Sequence, residues 1–245
     1  ILGISPDVRI VDVTHEVPPQ DVGRAARILE SIIPVYPAGT IHACVVDPGV
    51  GSARRFLLVK AAKQWIIAPD NGLVEPLVRG EDSGVEIREL SETWFRRSPL
   101  SSTFHGRDLV APAAAHLANG TAGERFGGIV TGGMVTGGIV PLRVPVPTRT
   151  AEGVRGEVTD VDHFGNLLTN LTVSDWQGVA VGKVRVSIGG RMIEGVGEYY
   201  AQVEPGELIA LVSSFGTLEI ACRNGNAAEL LGAGRGTVCE LLYAN

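Results

Sequence analysis

The chain has 245 residues, 44% hydrophobic and 20% charged, the make-up of an ordinary globular protein with one large core or two smaller ones. Its net charge of -6, with three lysines among 21 basic residues, argues against nucleic acid as a partner, because phosphate binding needs clustered cations. No apolar run approaches the roughly 20 residues of a membrane span, and Cys44, Cys222 and Cys239, set in apolar surroundings, read as reduced core residues of a cytoplasmic protein rather than as a disulfide or metal framework.

The first half alternates in texture. Residues 8–13 are β-branched and bounded by polar groups, as a strand is. Asp21 is placed to cap a helix reaching Ile33, with Ala25, Ala26, Ile28, Leu29, Ile32 and Ile33 at helical spacing and Pro34 and Pro37 ending it. Residues 41–46 form a short continuous apolar run, expected of a strand buried on both faces, and further strands are expected at 56–59, 65–68 and 85–90. A helix is expected over 108–117. Strands alternating with helices predict an α/β N-terminal domain with a mostly parallel central sheet and helices on its faces.

Near residue 130 the pattern changes. Residues 131–138 hold four glycines, and Pro141, Pro145 and Pro147 then stiffen an extended stretch. The chain is thereby divided into 1–140, an extended linker over 141–152, and 153–245. In the last part short strands are expected at 156–161, 166–171, 183–188, 207–212, 218–221 and 237–242, with one helix at 227–231. Many short strands with glycine turns predict a smaller all-β, barrel-like C-terminal domain.

Polar residues with chemical potential gather in loops at strand ends, where such folds keep their sites. The run VDPGVGSARR at 46–55 ends a strand on Asp47 and turns through Gly49 and Gly51 to Arg54 and Arg55. STFHGRD at 102–108 adds His105, so the two loops supply an acid, a permanent cation and an imidazole. Further on lie DHFGNLLTN at 162–170 and SSFGTLEIA at 213–221. Asn166 offers the paired donor and acceptor that read a base edge, and Tyr199, Tyr200 or Phe215 offer a ring to stack on a purine. Taken singly, such residues are also turn formers and half-buried strand positions, and spacing leaves both readings open. No spacing of Cys and His suggests a metal site.

With APDNGL at 68–73, these runs occur in order over nearly the whole chain and resemble the S-adenosylmethionine hydroxide adenosyltransferases, relatives of the fluorinase and chlorinase enzymes. The resemblance implies hydrolysis of S-adenosyl-L-methionine to adenosine and L-methionine by water or hydroxide attacking ribose C5′. It implies Asp47, Arg54 and His105 as the catalytic set, with Arg55 as the fallback cation and the identity of the base left open. For the substrate it implies Asn166 at the adenine, Tyr199 as a stacking ring, and Asp162 and Ser214 near the amino-acid end, with Phe104, Gly106 and Asn71 also in the site. It implies a homotrimer with each site between neighbouring subunits, a small-molecule substrate, no metal and no cofactor.

The halogenating relatives carry tyrosines where Asp47 and His105 stand and a serine at Gly106, so these three residues favour hydroxide over halide. The alternatives are a halide-dependent adenosyl halogenase and a non-catalytic adenosine or S-adenosylmethionine binding protein. Phe215 follows Ser214 where the halogenases have arginine. The chain opens on Ile1, after the point where the family's first strand and its ribose-holding acid are expected.

Overall fold

In the computed structural model, which describes residues 1–79, 84–131, 138–180 and 183–243, the chain divides into two units, Ile1–Arg143 and Val144–Asn245. The glycine-rich stretch noted above falls largely on 132–137, outside the described residues.

In the first unit, helix α1 (Val22–Ile32) starts where Asp21 accepts the Arg24 amide at 2.9 Å, and it buries Ala25, Ala26 and Leu29. Strands β1 (Ile41–Ala43), β2 (Phe56–Ala61), β3 (Gln64–Pro69) and β4 (Glu86–Glu89) form one sheet in the order β1-β3-β2-β4. A short helix α2 (Glu75–Val78) follows β3, and a π-helical turn, Gly106–Val110, runs directly into α3 (Ala111–Ala118). The sheet is covered on both faces. Leu57 and Val59 of β2 pack with Ala25 and Leu29, whereas Phe56 and Leu58 pack with Leu109, Val110 and Ala113. The two-residue period of the strand thus serves two separate cores.

The mostly parallel sheet expected from the sequence does not form. Among the described strands of this sheet only β1 and β3 run parallel, while β2 is antiparallel to both β3 and β4. The connection from β2 to β3 is Ala62-Lys63, with φ of 50° and 61° at the two residues. Two residues at positive φ close a hairpin, and they are far too few for the crossover of about a dozen residues that a parallel pair requires. The first expected strand is absent as well: residues 8–13 form no strand, and Ile10, Val11 and Val13 are exposed. β-Branched residues favour extended backbone, but a ladder needs a neighbour, and no described strand pairs with this stretch.

In the second unit, strands β5 (Thr148–Arg149), β6 (Gly153–Val161), β7 (Leu167–Thr172), β8 (Val184–Ile188), β9 (Arg191–Glu194), β10 (Leu208–Val212), β11 (Thr217–Cys222) and β12 (Val238–Tyr243) make one sheet. Its order is β10-β11-β7-β6-β12-β8-β9, with β5 beside β6, and the strand pairs are antiparallel. A bridge from Gly197 to Leu211 ties the stretch after β9 to β10, so the sheet nearly closes into a barrel. Alternate residues, among them Leu167, Leu171, Val184, Val186, Ile188, Leu218 and Ile220, fill one core with Trp176. Helix α4 (Ala227–Leu231) is capped by Asn226, which accepts the Glu229 amide at 3.0 Å. Strands β5 and β9 escaped the sequence reading, since β5 spans two exposed residues and β9 buries only Ile193. Among the described residues no helix is long and apolar enough to cross a membrane.

Candidate active site

Past β1 the chain folds back through two turns. Val50 N donates to Asp47 O at 3.3 Å, and Ser52 donates to Gly49 O from both N (3.1 Å) and Oγ (2.7 Å). These turns return Arg54 to Asp47. Arg54 Nε donates to Asp47 Oδ1 at 2.6 Å and its Nη2 donates to Oδ2, a bidentate pair, while Gly49 N donates to Oδ1 at 3.2 Å. The Arg54 and Asp47 side chains are only 10% and 4% exposed, so solvent and salt screen this pair far less than a surface one.

His105 arrives from the other loop. Gly51 has φ +81°, and a Cβ there would lie 2.5 Å from the Ser102 carbonyl oxygen, so only glycine lets the Asp47–Arg54 loop close on the histidine loop. Arg54 Nη2 then lies 3.1 Å from His105 Nδ1. A guanidinium can only donate, so Nδ1 accepts, and the neutral imidazole carries its hydrogen on Nε2. His105 is buried and directly precedes the π-helical turn, a local distortion that recurs at functional sites. Asp108 within that turn accepts from Arg107 Nε (2.6 Å) and Nη2 (2.8 Å) and from Ser101 N (3.1 Å). The Arg107 guanidinium is the main cause that holds the Asp108 carboxyl down at about 2. Loop and turn are thereby tied together on either side of His105.

The other residues of the first unit sort by what they touch. Arg55 Nε donates to Asp70 Oδ2 at 2.7 Å and its Nη2 donates to Gly138 O, so it is committed elsewhere and Arg54 alone of the pair meets Asp47. Asn71 Nδ2 donates to Val46 O at 2.9 Å and its Oδ1 accepts from Leu73 N at 3.3 Å, so the amide holds the backbone next to Asp47. Phe104 is 59% exposed, with the Arg107 guanidinium 5.1 Å from its ring centroid. At Gly106 a Cβ would meet only Val45, at 3.5 Å or more, so packing does not impose glycine there.

Phe56 was not singled out in the sequence. Its ring lies 4.1 Å from Arg54 Cζ and edge-on to His105, with centroids 5.7 Å apart at 66°. The available signal was alternation: Arg54 and Phe56 are two residues apart at the start of a strand and share a side of it.

In the second unit, Asp162 and Asn166 close on each other. Asp162 Oδ1 accepts from Phe164 N (2.8 Å) and Asn166 N (2.9 Å), and its Oδ2 accepts from Asn166 Nδ2 at 3.0 Å. The turn needs Gly165 at φ +84°, where a Cβ would fall 2.1 Å from Asn226 Oδ1. Ser214 and Tyr199 are exposed. Tyr200 instead donates its hydroxyl to the buried Glu219 Oε1 at 2.8 Å. Burial, with the charge of Asp162 added, pushes the Glu219 carboxyl up, and burial and Glu219 push the Tyr200 hydroxyl up to about 12. Among the described residues no group of three or more His, Cys, Asp or Glu could hold a metal ion.

Residues 1–127 match the SAM hydroxide adenosyltransferase N-terminal domain, and residues 156–240 match the C-terminal domain of the same family. The chain is 37% identical over 230 residues to the (R)-S-adenosyl-L-methionine hydrolase of Salinispora tropica, spanning 94% of this chain and 84% of that protein. It is 37% identical over 248 residues to the protein of that name from Thermus thermophilus, spanning 97% and 89%. A fluorinase of an Actinoplanes species is more distant, at 31% over 207 residues, 74% of this chain and 68% of that one. An uncharacterized conserved protein of Thermotoga maritima, solved by crystallography, superposes with a TM-score of 0.85 at 35% identity over 98% of this chain and 91% of that chain. The chain belongs to the SAM hydroxide adenosyltransferase family.

Proposed function

We propose that this protein hydrolyses S-adenosyl-L-methionine to adenosine and L-methionine. The carrying observation is the hydrogen-bonded set Asp47–Arg54–His105, assembled from two loops and largely shielded from solvent. In the reaction a water oxygen bonds to ribose C5′ as the C5′–S bond breaks. The bonding pair leaves with sulfur, which turns from sulfonium to neutral thioether, and one water proton is released. Such a leaving group needs no protonation, so the remaining work is to align the water and draw off its proton as attack proceeds. Asp47 Oδ1 already accepts two hydrogen bonds and Oδ2 one, which leaves a lone pair on Oδ2 for that proton. Arg54 stays charged and fixes the Asp47 carboxylate that takes the proton, and His105, hydrogen-bearing at Nε2, orients the water as a donor. For the rest of the substrate, Asn166, Tyr199, Asp162 and Ser214 take the adenine and amino-acid ends, with Phe104, Gly106 and Asn71 beside the reacting carbon.

The test is chromatography of a reaction run in ¹⁸O-water. Adenosine carrying the label, together with methionine, is the expected outcome, and absence of adenosine refutes the reading. The fluorinase relatives motivate a halide control, in which 5′-halo-5′-deoxyadenosine would favour halogenation instead. We further propose a cytoplasmic, metal- and cofactor-independent homotrimer with each site between neighbouring subunits. The three free cysteines support a reducing compartment, and the trimer follows from family resemblance. Light scattering should give three times the 25.8 kDa chain mass, and turnover should survive treatment with a chelator.

A further inference from the structure

Arg54 is held along one edge by Asp47 and shares a hydrogen bond with His105, yet neither contact fixes the tilt of its plane. Hydrogen bonds along an edge allow a planar fork to rock about that edge. Phe56 lies against this guanidinium. Arg54 Cζ lies over its ring, 4.1 Å from the centroid, and the same ring meets His105 edge-on at 5.7 Å and 66°. Phe56 itself is 3% exposed and packed with Leu58, Ile67 and Leu109. Its carbonyl is fixed as well, accepting from Leu90 N at 2.8 Å. One rigid side chain of β2 therefore supports both the cation and the imidazole.

We infer that Phe56 is a positioning residue that sets the Arg54–His105 geometry through its π face, and the inference rests on the reading of Asp47, Arg54 and His105 as the working set. Two consequences separate this role from plain core packing. An aromatic face attracts a cation through its negative quadrupole, an attraction an aliphatic side chain of equal volume lacks. A displaced Arg54 would also cease to favour the imidazole tautomer with hydrogen on Nε2.

The experiment replaces Phe56 with phenylalanines bearing one, two and five ring fluorines, which keep the shape while progressively emptying the π face. We expect kcat to fall stepwise, reaching about three- to thirtyfold at five fluorines, with KM unchanged. A kcat within twofold of wild type across the series overturns the inference. A second readout does not depend on turnover: ¹⁵N NMR of His105 should show the single Nε2-protonated tautomer in wild type and a mixture in Phe56→Leu. If wild type fails to turn over S-adenosylmethionine, the functional reading falls and NMR alone decides here. A single tautomer retained in Phe56→Leu then overturns the role of Phe56, and a mixture supports it.

Discussion

Arg54→Lys keeps the charge and removes the fork. In the native site the guanidinium reaches both oxygens of Asp47 and, through Nη2, also His105 Nδ1. An ammonium is a compact charge with no planar edge, and it cannot span the two carboxylate oxygens and the imidazole together. At least two of these contacts go. Hydrogen bonds to charged groups contribute roughly 1.5–3 kcal/mol each, so about 3–6 kcal/mol of interaction is at stake. Only the share gained between ground state and transition state appears in the rate, and each 1.36 kcal/mol is about tenfold. We therefore expect kcat/KM to fall by about 10²- to 10³-fold, within the usual span for a positioned proton-transfer system. The assay is adenosine release under steady-state conditions, with circular dichroism to confirm folding. A folded Arg54→Lys protein within about threefold of wild type would refute the claim that bidentate geometry, rather than charge alone, organises the site.

Four further outcomes follow from the same geometry. Gly51→Ala forces a side chain to φ +81° and within 2.5 Å of Ser102 O, so it should cost about 2 kcal/mol or more in urea unfolding and reduce turnover by parting the two loops. Asp108 has its carboxyl lowered to about 2, so its contribution to stability is complete above the ordinary carboxyl value and lost as pH falls toward about 2; Asp108→Asn should flatten the acid limb of Tm against pH. Glu219 is shifted the opposite way, so the folded state holds its proton longer than the unfolded state and stability falls as pH rises through that window. Glu219→Gln should consequently gain on wild type at pH 8 relative to pH 4. Burial pushes the thiol of Cys239 up to about 12, and iodoacetamide at pH 7.5 should modify it only after denaturation.

The loops that carry the first-unit site were legible as polar, glycine-containing strand ends, and family resemblance singled out Asp47, Arg54 and His105. Their assembly was not legible, because it depends on the approach of Gly51 to Ser102 between loops some fifty residues apart. The resemblance also puts Arg54 ahead of Arg55, and the two differ in their tertiary partners, Asp47 for one and Asp70 for the other. The error about the sheet had a cure in the sequence. The expected strands at 56–59 and 65–68 leave only residues 60–64 between them, too few for the crossover that a parallel pair needs, and that spacing outranks the coarse alternation of strands and helices. In the second unit, adjacent tyrosines take opposite environments, Tyr199 exposed and Tyr200 bonded to Glu219, a distinction composition cannot make. Asn166, read as a base reader, spends one amide hydrogen on Asp162.

The choice between water and halide can also be argued from charge. A halide ion is drawn to uncompensated positive charge, but both Nε and Nη2 of Arg54 are turned onto Asp47, whose carboxylate cancels the cation at hydrogen-bond distance. Nη1 of Arg54 is buried with no hydrogen-bond partner among the described residues. A buried donor without a partner is costly and favours an acceptor atom beside it. The donor therefore asks for a lone pair while the neighbouring carboxylate resists net negative charge, and water meets both demands because it offers a lone pair while uncharged and gives its proton to the carboxylate as it attacks. Replacing Asp47 with Asn should relax that resistance. Chloride should then become a competitive inhibitor of the variant while leaving wild type unaffected, and equal insensitivity of the two proteins to chloride would remove the charge-based account of nucleophile choice.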